Sequence, residues 1–329
     1  MILGNKRILV TGAAGFIGSH LTETLTKAGA RVRVFVRYNS SNGRGNLVDL
    51  EKSLLEEIEV MAGDLRDAEA VARAVTGCDL VFHLAALVGI PYSYQNPREV
   101  VETNIIGTLN VLTAARNQKV SRVVHTSTSE VYGSAQYVPI DEAHPLQGQS
   151  PYSASKIGAD KLAESFYAAY ELPVVTIRPF NSYGPRQSAR AVIPTIITQA
   201  LTGSEIRLGS MDTLRDFTFV LDTVAGFMKA AQVEQAVGRV INIGSGHEVS
   251  ISELAQMVVD TIDGSGPIVL DEARLRPGRS EVKRLLADNR LAKELLDWEP
   301  QVGLDEGIRR TTAWIMAHFE RYESGKYQI

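Results

Sequence analysis

A glycine-rich turn near the N-terminus restricts the folds open to this chain more than any other feature. The segment Thr11–Gly18 (TGAAGFIG) follows an apolar run and precedes a helix-length pattern. Gly12 permits a tight turn, Gly15 lets the backbone approach a pyrophosphate, and Gly18 lets the helix pack close to the strand. The N–H groups at a helix start attract phosphates. The context predicts a dinucleotide-binding turn, whereas an isolated glycine triad would indicate only a turn.

Short apolar runs alternate with helix-length segments through the first half of the chain. The predicted strands are Arg7–Thr11, Val32–Arg37, Ile58–Met61, Leu80–His83, Arg122–Thr126 and Val174–Arg178. The predicted helices are Phe16–Ala28, Asp67–Thr76, Arg98–Lys119 and Pro151–Tyr170. Strands that alternate with helices form βαβ units, and strands apolar along their whole length are buried on both faces. The pattern therefore predicts an α/β fold with a Rossmann-like, doubly wound parallel sheet.

After Arg178 the alternation becomes less regular. Further strands are predicted at Asp216–Val220 and Arg239–Ile243, and further helices at Ile193–Leu201, Ile251–Thr261, Arg290–Leu296 and Leu304–His318. No internal repeat and no Ser/Gly-rich linker separates the halves. We expect a dinucleotide-binding domain over residues 1–180 and a smaller C-terminal α/β substrate-binding lobe over 181–329, with some elements of about 216–245 able to return to the first sheet.

The composition excludes several kinds of protein. The chain of 329 residues has 34 Lys and Arg against 38 Asp and Glu, and a net charge of −4 does not suit a general nucleic-acid binder. Its single cysteine, Cys78, cannot form an internal disulfide or a multi-cysteine zinc site. The longest apolar segment, Leu80–Ile90, is far shorter than the roughly 20 residues of a membrane helix. We expect a cytoplasmic protein without a metal site and without membrane or nucleic-acid partners.

Two residues near the ends of predicted strands bear on the choice of dinucleotide. No carboxylate stands at the end of the second strand to bind a ribose 2′-hydroxyl, whereas Arg37 is there and suits a 2′-phosphate. NADP is therefore favoured and NAD is the alternative; a solvated surface role is the other explanation for Arg37. Asp64 is placed to accept a hydrogen bond from adenine or to act as a turn or helix-capping residue.

Tyr152 and Lys156 are four residues apart on a predicted helix, so both side chains lie on one face. A free tyrosine has a pKa near 10 and is a poor base at neutral pH. A lysine ammonium about 4 Å away contributes roughly 4 kcal/mol at an effective dielectric constant of 20, or about 3 pKa units before desolvation opposes it. The pair can then act as the acid/base for a carbinol. On spacing alone, an ordinary amphipathic helix face is the more common explanation.

A set of short motifs along the chain resembles those of extended short-chain dehydrogenases/reductases of the NAD(P)-dependent sugar-nucleotide epimerase/dehydratase family. The matching segments are Thr11–Gly18, Asp64–Leu65, His83–Ala86, Thr126–Gly133, Tyr152–Lys156, Arg178–Pro185, Arg215–Asp216 and Arg276–Gly278. They span nearly the whole chain, and their combination is much more specific than any single motif. Tyr152 and Lys156 occupy the catalytic positions of that family. The resemblance therefore favours a catalytic role for the pair over an ordinary amphipathic helix face.

The segment Thr128–Glu130 bears on the subclass within that family. The resemblance implies that Thr128 hydrogen-bonds the reacting sugar oxygen and that Glu130 is the C5 base of a 4,6-dehydratase; without it, Glu130 would be an exposed loop carboxylate. Plain 4-epimerases generally lack this acid. The dTDP-glucose dehydratases have Asp where this chain has Ser129, whereas GDP-mannose dehydratases and UDP-glucuronate decarboxylases share Thr-Ser-Glu. The predicted catalytic residues are Thr128, Ser129, Glu130, Tyr152 and Lys156.

The resemblance also assigns residues to two ligands and implies a partner. The predicted dinucleotide contacts are Gly12, Ala14, Gly15, Phe16, Ile17, Gly18, Arg37, Asp64, Leu65, Leu84, Ala85, Ala86, Tyr152 and Lys156. The predicted contacts to a nucleotide-diphosphate sugar are Asn181, Arg186, Val192, Arg215 and Arg276. A surface ion-pair network is the alternative role for these arginines. Members of the family usually form homodimers through the helices that correspond to Arg98–Lys119 and Pro151–Tyr170.

The predicted activity is that of a nucleotide-sugar 4,6-dehydratase, a lyase of carbohydrate biosynthesis. The segments Val36–Ser40, Ile90–Tyr94 and Gln147–Tyr152 are most similar to those of dehydratases for nucleotide-linked N-acetylglucosamine. A nucleotide-sugar 4-epimerase and a UDP-glucuronate decarboxylase are the enzymatic alternatives. A dinucleotide-sensing regulator that kept the fold and lost the chemistry is the non-enzymatic one. The full set of catalytic side chains argues against the regulator.

Overall fold

The computed structural model describes residues 3–38, 43–203, 205–262 and 265–322, so Asn39 and Ser40 of the segment Val36–Ser40 lie outside the described residues. The strands are β1 (Arg7–Thr11), β2 (Arg31–Arg37), β3 (Glu59–Gly63), β4 (Leu80–His83), β5 (Arg122–Thr126), β6 (Val174–Pro179), β7 (Asn181–Tyr183), β8 (Ile206–Leu208), β9 (Leu214–Phe219), β10 (Val240–Ile243), β11 (Glu248–Ser250), β12 (Ile268–Leu270) and β13 (Arg284–Leu285). The helices are α1 (Phe16–Lys27), α2 (Lys52–Glu57), α3 (Ala68–Val75), α4 (Ile90–Gln95), α5 (Pro97–Val101), α6 (Gly107–Asn117), α7 (Pro151–Tyr170), α8 (Val192–Leu201), α9 (Val220–Gln232), α10 (Ile251–Val259), α11 (Arg290–Leu296) and α12 (Leu304–Ala317).

Seven strands form the first sheet in the order β10-β6-β5-β4-β1-β2-β3, and neighbouring strands are parallel throughout. The strand order reverses between β1 and β4, where Thr11 lies beside His83. In sheets of this kind, ligands bind in the crevice outside the carboxyl ends of the strands at the reversal. The predicted Rossmann-like α/β fold is confirmed, and the glycine turn after β1 lies at that crevice.

Helices cover both faces of the first sheet. Residues of α1, α9 and α11 form one buried cluster with Ile8 and Val10 of β1. Residues of α3, α6 and α7 form a second cluster with Leu9 of β1. Successive side chains of a strand point to opposite faces, so β1 must be apolar at every position to fill both clusters.

The second half of the chain builds separate sheets and also returns to the first one. Strands β7, β9, β11 and β13 form a four-stranded sheet, and β8 pairs with β12. Helices α8, α10 and α12 pack together in a third buried cluster that contains Ile196, Leu254 and Ile315. Strand β10 pairs with β6 at the edge of the first sheet, whereas β9 belongs to the four-stranded sheet. Of the elements between 216 and 245, the strand Val240–Ile243 therefore pairs into the first sheet, and α9 packs on one of its faces.

The segment predicted as one helix, Arg98–Lys119, contains an irregularity. It is helical from Pro97 to Asn117, but Glu102–Ile106 forms a π-helical turn between α5 and α6. Turns of this type inside α-helices often occur at functional sites. Among the described helices, none is long and apolar enough to span a membrane.

Candidate active site

The glycine turn Thr11–Gly18 forms a backbone cradle that has no room for a side chain at Gly12 or Gly18. Gly12 has φ +73°, and a Cβ atom there would lie 2.7 Å from the backbone N of Ala85. A Cβ atom on Gly18 would lie 2.2 Å from the carbonyl O of Gly12. Helix α1 begins directly after Gly15, and no side chain of the described residues caps its first N–H groups. The turn thus fits a dinucleotide pyrophosphate, with backbone donors directed to it.

A cavity of about 490 Å³ extends from this turn along the carboxyl ends of the strands. Its lining contains every residue predicted to contact the dinucleotide except Lys156. These lining residues are Gly12, Ala14, Gly15, Phe16, Ile17, Gly18, Arg37, Asp64, Leu65, Leu84, Ala85, Ala86 and Tyr152. We call it the dinucleotide cavity.

Arg37 and Asp64 line the dinucleotide cavity where β2 and β3 end. The Asp64 carboxylate accepts hydrogen bonds from the Arg66 side chain at 2.6 and 3.0 Å and from the Arg66 backbone N at 2.9 Å. These bonds hold the pKa of Asp64 below its usual value. Asp64 is therefore a turn residue that also lines the cavity. Arg37 is exposed, and its Nη2 lies 3.4 Å from Oε1 of Glu99.

A second cavity, of about 590 Å³, lies between the first sheet and the C-terminal elements. Four of the five residues predicted to contact a nucleotide sugar line it, namely Asn181, Val192, Arg215 and Arg276. The two cavities share Phe16, Val88, Thr128, Glu130, Tyr152, Asn181 and Ser182. We call it the substrate cavity, and its junction with the dinucleotide cavity contains three of the predicted catalytic residues.

A carboxylate that the sequence analysis missed lies between the two arginines of the substrate cavity. Glu281 Oε1 is 3.3 Å from Arg215 Nη2 and 3.8 Å from Arg276 Nη1. Burial lowers the pKa of Arg215, and Arg276 acts in the same direction, whereas Glu130 and Glu281 oppose it. The chain thus holds two guanidinium groups together at one carboxylate. Glu281 and Arg215 are 66 positions apart, so only the folded chain reveals the pair.

Arg186 does not line the substrate cavity. Its backbone has φ +67°, and its Nη2 lies 2.7 Å from Oε2 of Glu23 in α1. The guanidinium also lies over the ring of Trp314 in α12, 5.7 Å from the centroid. The guanidinium of Arg186 therefore contacts Glu23 of α1 and Trp314 of α12 rather than the substrate cavity. The arginine of this loop that lines the cavity is Arg190.

The segment after β5 carries the other predicted catalytic side chains. Thr128 precedes a 3₁₀ turn over Ser129–Tyr132, and its Oγ1 accepts a hydrogen bond from the backbone N of Glu130 at 3.2 Å. Ser129 is buried and lines the dinucleotide cavity. Tyr152 lies in the first turn of α7, where Ser150 and Ser153 form a reciprocal capping box. The strand end and the helix start therefore bring these groups together.

Burial dominates the ionisation of Tyr152 and Lys156. Burial raises the pKa of Tyr152 well above its usual value, and a hydrogen bond with Thr128 opposes this. Burial lowers the pKa of Lys156 to about 8, and the nearby Asp160 opposes that shift. Lys156 Nζ donates to the backbone O of Thr126 at 2.7 Å. The protein alone therefore does not lower the pKa of Tyr152 as the sequence analysis predicted, because desolvation acts in the opposite direction.

Asn104, in the π-helical turn, is a second residue that the sequence analysis missed. Its Oδ1 accepts from the backbone N of Leu87 at 2.8 Å, and its Nδ2 donates to the O of Leu87 at 3.0 Å and to Oγ of Ser155 at 2.9 Å. These bonds tie the cavity-lining segment after β4 to α7. The π-helical turn has no sequence signal of its own, so nothing marked Asn104 in advance.

The two histidines at the strand ends are bound within the protein. His83 Nδ1 lies 2.8 Å from Thr11 Oγ1, and His125 Nε2 lies 3.1 Å from Asp160 Oδ1. Burial lowers the pKa of both rings. Both histidines therefore have hydrogen-bond partners within the protein and a structural role. The described residues contain no cluster of three or more His, Cys, Asp or Glu side chains that could hold a metal ion.

A family model described as GDP-mannose 4,6 dehydratase matches residues 9–311. The chain belongs to this family. The fold and the matched range agree with an extended short-chain dehydrogenase/reductase of the sugar-nucleotide epimerase/dehydratase type.

Relatives of similar identity have three different activities. A UDP-glucose 4-epimerase of Mycolicibacterium smegmatis is 35% identical over 312 residues, which cover 93% of this chain and 97% of that protein. A UDP-N-acetyl-alpha-D-glucosaminuronate decarboxylase of Bacillus cytotoxicus is 34% identical, with 94% and 97% covered. A dTDP-glucose 4,6-dehydratase of Streptomyces antibioticus is also 34% identical, with 93% and 91% covered. The chain is thus an enzyme-family member whose relatives are dehydratases, epimerases and decarboxylases.

Two solved structures are similar to the whole chain. The dTDP-glucose 4,6-dehydratase DesIV of Streptomyces venezuelae, with NAD bound, has a TM-score of 0.87 and 32% identity, covering 96% of this chain and 99% of that one. MoeE5 in complex with UDP-glucuronic acid and NAD has a TM-score of 0.84 and 33% identity, covering 95% and 99%. The similarity therefore extends over both cavities.

Proposed function

We propose that this chain is a nucleotide-sugar 4,6-dehydratase that acts on a nucleotide-linked hexose of the N-acetylglucosamine type. The position of Glu130 carries the proposal. This carboxylate lies with Thr128 and Tyr152 at the junction of the dinucleotide and substrate cavities. A 4-epimerase moves hydride at one carbon and needs no further base, whereas loss of water across C5 and C6 needs a group that removes the C5 proton.

The cofactor is a nicotinamide dinucleotide, held by the glycine cradle and by the residues after β2, β3 and β4. NAD is supported by the two similar structures that contain it. Arg37 at the end of β2 supports NADP, because a guanidinium suits a 2′-phosphate. A bound nicotinamide would supply the hydride acceptor for oxidation at C4 and the hydride donor for C6.

Tyr152 acts at the C4 hydroxyl. Its phenol is buried at the cavity junction and is hydrogen-bonded with Thr128, so both oxygens can address one substrate hydroxyl. The phenol must lose its proton before it accepts one, and burial opposes this. The ammonium of Lys156 favours the phenolate, and a positively charged nicotinamide acts in the same direction. Tyr152 then takes the C4 hydroxyl proton.

Glu130 acts at C5, and Ser129 lies next to it. Oxidation at C4 gives a ketone, which makes the C5 proton acidic, and the Glu130 carboxylate removes that proton. The C6 hydroxyl leaves as water when it receives a proton. Ser129 can hydrogen-bond this hydroxyl, but a serine is a much weaker acid than the aspartate of dTDP-glucose dehydratases. Glu130 therefore serves both steps, first as the base and then as the acid.

The two arginines beside Glu281 bind the diphosphate of the substrate. Arg215 and Arg276 line the substrate cavity and present planar donors that suit phosphate oxygens. Glu281 holds them at 3.3 and 3.8 Å, which limits their mutual repulsion before a phosphate arrives. Val192 and Leu208 also line this cavity, and we assign them to its nucleotide end.

The proposal is tested by incubation with NAD or NADP and a panel of UDP-, GDP- and dTDP-linked glucose, N-acetylglucosamine and glucuronate. We expect mass spectrometry to show loss of one water from an N-acetylglucosamine substrate without net consumption of the cofactor. A product of unchanged mass with inverted C4 would instead identify a 4-epimerase, and release of carbon dioxide would identify a decarboxylase. Tight cofactor binding without turnover of any sugar would favour a regulator.

We also propose that the protein is a homodimer formed by α5, α6 and α7. Large apolar side chains on these helices and on the π-helical turn are exposed, with Val101 at 40%, Ile106 at 42%, Tyr167 at 41% and Tyr170 at 51%. We expect light scattering to give twice the chain mass for the wild type and the mass of one chain for Ile106→Glu. Leu221→Glu, on α9, is the matched control and should leave the mass doubled. A monomeric wild type would contradict the proposal.

A further inference from the structure

Five charged side chains lie close together at the end of β2, and we call them the Arg37 cluster; three of them, Arg37, Asp64 and Arg66, line the dinucleotide cavity. Two are guanidinium groups, Arg37 and Arg66, and three are carboxylates, Asp64, Glu99 and Glu102. Arg66 Nη2 lies 2.6 Å from Asp64 Oδ2, and Arg66 Nη1 lies 4.0 Å from Glu102 Oε2. Arg37 Nη2 lies 3.4 Å from Glu99 Oε1. Arg66 thus engages two of the carboxylates, and Glu99 faces Arg37.

The Glu99 carboxylate is held in place from two sides. Its Oε2 accepts a hydrogen bond from the phenol of Tyr92 in α4, and its Oε1 faces Arg37. The Glu99 side chain is 27% exposed, whereas the Arg37 side chain is 67% exposed. Glu99 is therefore the fixed member of the pair, and Arg37 is the member with access to solvent and to a ligand.

We infer that Glu99, through its pair with Arg37, determines the choice between NAD and NADP; the inference rests on the proposed nicotinamide cofactor. The 2′-phosphate of NADP carries a charge of about −1.5 to −2 at neutral pH. When it approaches Arg37 it also approaches the Glu99 carboxylate, which repels it and competes for the same guanidinium. NAD has an uncharged hydroxyl at this position and meets neither effect. A prediction based on Arg37 alone therefore gives too strong a preference for NADP.

The effect differs from that of an ordinary surface ion pair. An exposed pair between arginine and glutamate contributes little to stability, so its loss should barely change the folded state. A second anion placed beside the pair changes its energy, because the carboxylate and the phosphate repel each other. The repulsion appears only when NADP is bound. The ratio of the two binding constants is thus the quantity that reports it.

The test measures equilibrium binding of NADH and NADPH to the full chain by nicotinamide fluorescence, which requires no sugar and no turnover. In Glu99→Gln we expect the dissociation constant for NADPH to fall by about tenfold and that for NADH to change by less than about twofold. Raising the salt concentration should reduce the difference, because exposed charges are screened.

Three further variants isolate the cause. Glu102→Gln makes the same chemical change on a carboxylate that pairs with Arg66 and Arg98, and should leave the NADH/NADPH ratio within about twofold. Tyr92→Phe removes the hydrogen bond to Glu99 and keeps the charge, so the ratio should also stay near the wild-type value. In the background of Arg37→Ala, the Glu99→Gln change should lose most of its effect on NADPH.

Two results would overturn the inference. An unchanged ratio in a Glu99→Gln protein that binds NADH normally would show that the carboxylate does not act on the 2′-position. Equal shifts in Glu99→Gln and Glu102→Gln would show a general effect of net charge. A protein that shifts its ratio as expected yet turns over no nucleotide sugar would instead contradict the proposed function alone.

Discussion

Replacing Glu130 by glutamine should stop water loss while the first half of the reaction continues. The amide keeps the size and polarity of the side chain but cannot accept the C5 proton. Loss of a general acid/base costs roughly 100- to 10,000-fold in rate, and Glu130 is assigned both of these roles here. We expect dehydration of the nucleotide sugar to fall by at least about 1,000-fold. The backbone N of Glu130, which donates to Thr128, is unaffected by the change.

Two measurements separate the C5 step from the C4 step in Glu130→Gln. Absorbance of reduced nicotinamide should still rise on mixing with substrate, because Tyr152 and Lys156 are intact. Uptake of deuterium at C5 from heavy water should become undetectable, whereas the wild type should exchange. Glu164→Gln, an exposed carboxylate on α7, is the matched control and should react like the wild type. Dehydration at an undiminished rate in Glu130→Gln would contradict the assignment.

Replacing Lys156 by methionine should abolish activity and stabilise the protein at the same time. The usual pKa of 10.5 falls to about 8 in the folded chain, because burial penalises the charged ammonium. At 1.36 kcal/mol per pKa unit, the ammonium costs about 3 kcal/mol of folding free energy at pH 7. Loss of the hydrogen bond to Thr126 offsets about 1 kcal/mol. We expect the free energy of unfolding of Lys156→Met to be about 2 kcal/mol higher than that of the wild type.

The pH dependence of this difference follows from the direction of the pKa shift. The folded pKa lies below the unfolded one, so the cost of the ammonium is complete below about pH 8. It disappears as the pH rises from about 8 to 10.5, where the folded chain has already lost the proton. The advantage of Lys156→Met in urea unfolding should therefore be largest at pH 7 and vanish by about pH 10.

Activity and a control variant complete the test of Lys156. The ammonium is the positive charge assigned to stabilise the Tyr152 phenolate, so turnover should fall by at least about 100-fold without it. Lys161→Met, one turn further along α7, removes an exposed ammonium paired with Glu164 and should change stability by less than about 0.5 kcal/mol. A destabilised Lys156→Met protein would show that the buried ammonium is better compensated than its lowered pKa indicates.

Much of the fold could be predicted because its signals are local. The glycine turn at Thr11–Gly18 and the apolar strands before and after it are readable within a few residues. Strand alternation then restricts the topology to a parallel, doubly wound sheet. The return of β10 to the edge of the first sheet was harder to foresee. The apolar pattern of Val240–Ile243 suits pairing with β6 and pairing with a strand nearer in the sequence equally well. Packing between residues that are remote along the chain selects β6.

The candidate site divides in the same way. Thr128, Glu130 and Tyr152 could be named from motifs, since each follows directly from a strand end or a helix start. Glu281 could not be named, because its meaning depends on Arg215, 66 positions away. Arg186 was predicted at a phosphate, but its guanidinium pairs with a carboxylate of α1 instead. Side-chain direction in loops is a property of the whole fold.

The sequence by itself determined the Rossmann-like sheet, the glycine cradle and the identity of the groups able to move a proton. The tertiary structure alone decided how those groups ionise and which charges meet. Burial raises the pKa of Tyr152 and lowers that of Lys156, and the pairing of Arg37 with Glu99 joins β2 to α5. Desolvation and Coulomb energies depend on distances between atoms that are remote along the chain, so no local pattern can specify them.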